Sequence, residues 1–323
     1  MNTQVKLAII AIIIVIPLTS FAVTQPSFTS EISTSDNSKL QVVTSANFLY
    51  EFTQNIGNEM IDVSLLVPMG VDPHDWEPTI RDTERLQKSD MIIINGIGYE
   101  HWIGSLELTG IAGILVDTSN GISTLDSIKY DEEKHDDHAK EDGHDEHTEE
   151  DEHNHGALDP HIWLNPVFAQ LQVKNIANAL SNSDPTNKNY YQSNAAIYNQ
   201  ELNLLDTKIR TELSGCKTDF ITFHDAFSYF SKEYGLTQHT IISSTDSHGE
   251  VTLQTLENII SLARELNIKV IFAEESTSTK TSQVIADEIG GKVLVLSPLE
   301  IVSDETYVEK MTQNLENLKD ALC

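Results

Sequence analysis

The chain has 323 residues, 39% of them apolar and 22% charged, which is enough for one large or two ordinary globular domains and excludes global disorder. Its 50 acidic residues against 20 basic ones give a formal charge of −30, which argues against nucleic acid as a partner and suits cations, metal ions included. Two cysteines, Cys216 and Cys323, exclude a thiolate zinc framework and a disulfide-dense miniprotein.

Read from the N-terminus, Lys6 is followed by the apolar run Leu7–Leu18 and the small-x-small pattern Ser20-Phe21-Ala22. This reads as an export signal over 1–23, cleaved near Ala22. An uncleaved membrane anchor is the other reading, because the run is at the lower length limit for a span. No cysteine stands near the end of the run, so thioether lipidation is not expected there. Residues 24–39 read as a Ser/Thr-rich tether.

From residue 40 onward, short β-branched runs alternate with helical patterns. The expected strands are Gln41–Ser45, Val63–Val67, Met91–Asn95 and Ile114–Asp117, then Asp219–Phe223, Thr240–Ser243, Lys269–Ala273 and Lys292–Leu296. They are apolar throughout rather than alternating, as parallel strands covered on both faces are. Helical segments such as Leu253–Leu266 and Thr281–Ile289 lie between them. The expected fold class is therefore α/β, two similar lobes of four mainly parallel strands each, over 40–183 and 215–323. Between the lobes, Ser183-Asp184-Pro185 is a helix-start signal. Tyr191, Ala195, Tyr198, Leu202, Leu205, Ile209 and Leu213 then form a single apolar stripe. This predicts one long helix from about Thr186 to Leu213, within a linking segment 184–214, bracing both lobes.

Inside the first lobe, 131–155 carries 13 acidic residues and six of the twelve histidines: His135, His138, His144, His147, His153 and His155. It has almost no apolar residues and reads as a disordered loop suited to weak metal capture. Three other histidines sit in dense local patterns. His74 lies in Val71-Asp72-Pro73-His74-Asp75-Trp76, His161 in Leu158-Asp159-Pro160-His161-Ile162-Trp163, and His224 follows the expected strand ending at Phe223. Ligands of open α/β sheets bind beyond the carboxyl ends of strands, where His224 falls. Imidazoles suit zinc, whereas manganese or calcium would want more carboxylates. His101 and His239 read as structural or surface residues, and His248 is ambiguous. Export permits a Cys216–Cys323 disulfide, with two thiols as the alternative.

The ordered set VVTSANF, LVPMGVDPHDWEPT, NGIGYEHW, DPHIWLNP, FHDAFSYF and VIFAEE resembles the ZnuA/TroA-like receptors of ABC transporters for zinc and manganese, from about Val42 to Leu322. The resemblance implies two α/β lobes joined by a rigid helix, with one metal between them. It carries the metal ligands onto His74, His161 and His224. A histidine at the third position points to zinc as transported cargo, and zinc-type members often have a His- and acid-rich loop. It also implies an ABC permease and its ATPase as partners, an extracytoplasmic location, no enzymatic activity and a monomer. One departure stands out. Where the family commonly supplies an aspartate after the last strand, this chain has Ser297, a poor zinc ligand, and water, Glu300 or a histidine of the 131–155 loop is the candidate for the fourth position. A secreted zinc hydrolase is the competing reading, since three histidines with an open position also suit catalytic zinc. No His-Glu-x-x-His or Gly-x-Ser-x-Gly pattern supports it. A manganese receptor, a zinc buffer or a surface adhesin on the same fold are further alternatives.

Overall fold

A computed structural model describes residues 39–68, 71, 73, 76–104, 110–125, 158–242, 251–275 and 279–323. The expected signal, the His-rich segment 131–155, His74 and His248 lie outside the described residues. Among the described residues, no helix is long and apolar enough to cross a membrane.

The first lobe is a parallel sheet of β1 (Leu40–Thr44), β2 (Ile61–Leu65), β3 (Met91–Ile94) and β4 (Ile114–Asp117) in the order β2-β1-β3-β4. The second repeats that order with β5 (Asp219–Thr222), β6 (Thr237–Thr240), β7 (Val270–Ala273) and β8 (Lys292–Val295), as β6-β5-β7-β8. The two expected four-stranded parallel sheets are thus present. Met91–Ile94 and Val270–Ala273 are buried along their whole length, because each is an inner strand covered on both faces.

Two strands start two or more residues earlier than the apolar pattern predicts. β2 begins at Ile61, paired with Leu40, and the ladder ends where Thr44 faces Leu65. Leu66 and Val67 continue the apolar run but leave the ladder to pack in a side core with Trp76, Leu86 and Trp102. β6 is largely polar, and its Gln238 is buried because it does structural work: its amide donates to the Thr222 Oγ1 and the His224 carbonyl, and its Oε1 accepts from the Phe227 N–H. Apolarity marked the core correctly, but hydrogen bonding decided where the ladder runs.

The helices are α1 (Asn47–Gly57), α2 (Ile80–Lys88), α3 (Pro166–Ser183), α4 (Lys188–Glu212), α5 (Ser228–Tyr234), α6 (Leu253–Glu265), α7 (Lys280–Ile289) and α8 (Tyr307–Leu322). The long helix α4 has 25 residues, about 38 Å at 1.5 Å per residue. It is shorter than the pattern predicts because Pro185–Asn187 forms a separate tight turn, capped by the Asp184 side chain. Tyr191, Ala195, Tyr198, Leu202, Leu205 and Ile209 are buried, the predicted stripe. That stripe packs on α1 and α3 of the first lobe, and α4 also meets α8 of the second.

The lobes share one core. Phe48, Phe52, Trp163, Tyr191 and Tyr198 belong to the same buried cluster as Phe220, Phe272, Tyr307 and Met311. Trp163 stacks on Phe48 at 4.3 Å between ring centroids. Its Nε1 donates to the Pro298 carbonyl at 2.8 Å, and its own carbonyl accepts from the Tyr307 hydroxyl at 2.6 Å. Glu51 on α1 accepts from the Tyr198 hydroxyl on α4 and from the Tyr307 N–H at the start of α8. Burial raises the Glu51 carboxyl above its ordinary range, although those two hydrogen bonds hold it down in part. Cys216, just before β5, is disulfide-bonded to Cys323 at the chain end.

Candidate metal centre

His161 is placed by the turn before α3. Asp159 accepts from both its backbone N–H, at 2.9 Å, and its ring Nδ1, at 2.8 Å. Pro160 stiffens the link between the two. The next three residues wind into a tight helical turn, and Asn165 then caps α3 by accepting from the Val167 N–H. His161 is fully buried, with its ring 5.1 Å from that of Trp163.

His224 leaves the sheet two residues beyond β5, at its carboxyl end. Its carbonyl accepts from Thr222 Oγ1 and from the Gln238 amide. Glu274 stands directly after β7, the neighbour of β5, and accepts from the His224 N–H at 3.1 Å and from its Nδ1 at 2.7 Å. Each histidine is thus held in the same way, backbone and ring gripped by one carboxylate.

With both Nδ1 protons committed to carboxylates, both Nε2 atoms must face the remaining space. They lie 3.4 Å apart. Glu300, in the loop after β8, brings its Oε1 to 3.3 Å from the His161 Nε2. His161, His224 and Glu300 are all buried, and one ligand atom from each lies within 4.8 Å of the others. Three potential ligand atoms therefore converge on one point that could hold a metal ion. Two ligand atoms on tetrahedral zinc, each at about 2.0–2.1 Å, stand about 3.3–3.4 Å apart, the spacing of His161 Nε2 from both His224 Nε2 and Glu300 Oε1.

The electrostatic setting of His161 is consistent with this cluster of carboxylates. Burial alone would lower its pKa, but the hydrogen bonds and charges of Asp159 and Glu300 outweigh burial and push it up to about 10.

Of the residues singled out in the sequence, the structure brings together His161, His224 and Glu300. His74 lies outside the described residues. Ser297 is turned elsewhere: its Oγ donates to Glu275 at 2.7 Å. His101 is exposed and pairs with Glu77, and His239 pairs with Asp219 across β5 and β6. Sequence reasoning missed Glu274. Its place in VIFAEE was visible, but its role needs β5 and β7 to be neighbours, and the two residues are 50 positions apart.

The family model described as "ZnuA: Zinc-uptake complex component A periplasmic" matches residues 42–321. The chain belongs to the ZnuA family. It is 42% identical over 297 residues to the high-affinity zinc uptake system protein ZnuA of Bacillus subtilis, covering 89% of each protein. It is 33% identical to the zinc-binding protein AdcA of Streptococcus pyogenes, over 87% of this chain but only 56% of that longer protein. Among solved structures, it matches the metal-dependent lipoprotein YcdH of Bacillus subtilis with a TM-score of 0.72 and 38% identity, covering 88% of this chain and 99% of that one. The two-lobed ZnuA fold inferred from sequence is therefore the fold of its relatives.

Proposed function

We propose that this chain is an extracytoplasmic zinc receptor that captures Zn2+ and delivers it to an ABC import permease driven by its ATPase. The observation that carries the reading is the convergence of the His161 Nε2, the His224 Nε2 and the Glu300 carboxylate, with the His161 Nε2 at tetrahedral-edge spacing from the other two. The relatives named for high-affinity zinc uptake and zinc binding support it. Two imidazoles and a single carboxylate suit zinc better than manganese, which favours oxygen donors. His74 is assigned as a further ligand, on the strength of its Asp-Pro-His setting and the family resemblance.

Asp159 and Glu274 do not bind the ion. Each fixes a ring and its tautomer and raises the basicity of the nitrogen that does bind. Zinc entry displaces the His161 proton, so capture is coupled to proton release. Full burial of the donors suits retention of a cargo rather than turnover of a substrate, and the chain acts as a receptor rather than a hydrolase. To the stretch 131–155 we ascribe weak capture of cations, on its composition alone.

Calorimetry with Zn2+ tests the assignment. His224→Ala should weaken binding by at least a hundredfold, whereas His135→Ala should change it less than threefold. Equal affinities for wild type and His224→Ala would refute it.

A further inference from the structure

The loop from Leu296 to Glu300 is held at almost every residue, and by a different set of groups from those that hold the histidines. The Leu296 N–H donates to the Ala273 carbonyl, the last rung beside β7. The Asn314 side chain, on α8, clamps Ser297 from both sides: its Oδ1 accepts from the Ser297 N–H at 2.8 Å and its Nδ2 donates to the Ser297 carbonyl at 2.7 Å. Trp163 Nε1 donates to the Pro298 carbonyl at 2.8 Å. Leu299 has φ at 61°, a left-handed conformation that a branched side chain disfavours, and it is buried. The hydroxyl of Ser297 accepts from the Leu299 N–H at 3.2 Å. The same hydroxyl donates to Glu275 Oε2 at 2.7 Å, and Glu275 Oε1 accepts from the buried ammonium of Lys310 at 2.7 Å.

We infer that Ser297, anchored through Glu275 to Lys310, is the positioning residue that sets the aim of the Glu300 carboxylate at the metal. The inference rests on the zinc-receptor reading and deepens it. The chain of contacts runs from Lys310 on α8, through Glu275, to the Ser297 hydroxyl, to the strained Leu299 N–H, to the backbone of Glu300. Remove the hydroxyl and the Leu299 N–H loses this acceptor. The peptide preceding Glu300 can then relax, and the carboxylate moves off the point shared with the two imidazoles. Ser297 thus serves the metal without touching it. A hydroxyl suits this role because it accepts from one neighbour while donating to the other, whereas an ionised carboxylate only accepts and would face Glu275 with like charge.

The test is a cycle of four chains, wild type, S297A, E300Q and S297A/E300Q, each titrated with Zn2+ by calorimetry and melted without metal. S297A should weaken zinc binding about tenfold, with little change in metal-free melting temperature. In the E300Q background the same substitution should cost less than twofold, because its effect passes through Glu300. The visible absorption of the Co2+-loaded S297A chain should shift from wild type toward that of E300Q, which a merely structural role would not produce. K310M, which removes the far anchor, should weaken binding in the same direction. Wild-type affinity in S297A, or an equal loss in both backgrounds, would overturn the inference while leaving the receptor reading standing. A wild-type chain that takes no Zn2+ would overturn the receptor reading itself.

Discussion

His161 and His224 each commit one ring nitrogen to a buried carboxylate and turn the other toward a shared point. The arrangement makes zinc and protons competitors. His161 has its folded pKa raised to about 10, against about 6.5 in an unfolded chain. The proton therefore stabilises the metal-free fold fully below about pH 6.5, and that contribution fades as pH climbs toward 10. Zinc affinity moves the opposite way, rising up to tenfold per pH unit across that window. Calorimetry at pH 7 in buffers of different ionisation enthalpy should register about one proton released per zinc; no release would contradict the His161 assignment. At this scale the local sequence patterns single out His161 and His224, which the fold brings together. The sequence pointed less directly to Glu300, because the family habit drew attention to position 297, and only the fold turns the Ser297 hydroxyl to Glu275. Glu274 was illegible as a partner of His224 because the contact is made by strand order, not by chain proximity.

Among the elements, the last helix does two jobs. α8 carries Tyr307, whose hydroxyl holds the Trp163 carbonyl, and it ends at Cys323, bonded to Cys216. The disulfide closes a loop spanning 107 positions, so in the chain-entropy view it removes much freedom from the unfolded state, about 4–5 kcal/mol at most. Replacing both cysteines with serine should lower unfolding free energy by about 2–4 kcal/mol in denaturant titrations, with zinc stoichiometry unchanged, since Cys216 precedes β5 whereas His224 follows its carboxyl end. An unchanged midpoint would show that the bridge does not contribute. Truncating Tyr307 to Phe is a milder change. It removes one buried hydrogen bond and leaves the Trp163 carbonyl without that donor, a loss of about 1–3 kcal/mol readable in the same titration. Helix α4 shows what periodicity can and cannot give. The stripe from Tyr191 to Ile209 marks the buried face residue by residue, because a 3.6-residue period is a direct image of packing. The start was misplaced because proline after Asp184 favours a capped turn as readily as a helix. Strand β6 was misread for the opposite reason: its Gln238 is buried for its hydrogen bonds, and apolarity carries no signal for that.

For the molecule as a whole, the lobes are joined by shared packing rather than by a flexible hinge. The aromatic cluster of Phe48, Phe52, Trp163, Tyr198 and Tyr307 runs from one to the other, and Glu51 links α1, α4 and α8 through two hydrogen bonds. Opening the lobes would expose that core, at about 25 cal/mol for each Å2 of apolar surface. Small-angle scattering should therefore find nearly the same radius of gyration with and without zinc, within about 1 Å; wide closure would contradict the braced architecture. Two similar lobes of four parallel strands were legible from alternating apolar runs and helical stripes, but the strand order that both share was not. Their union into a common core was not, since it depends on long-range contacts such as Trp163 Nε1 to the Pro298 carbonyl, 135 positions apart. The claim on which all else depends is that one zinc ion sits where His161, His224 and Glu300 converge. Anomalous diffraction at the zinc edge from crystals of the loaded protein tests it most directly. The account predicts a single strong peak about 2.0–2.1 Å from both Nε2 atoms, with a Glu300 oxygen in the same shell. A zinc peak elsewhere, with these three residues still hydrogen-bonded to one another, would contradict it.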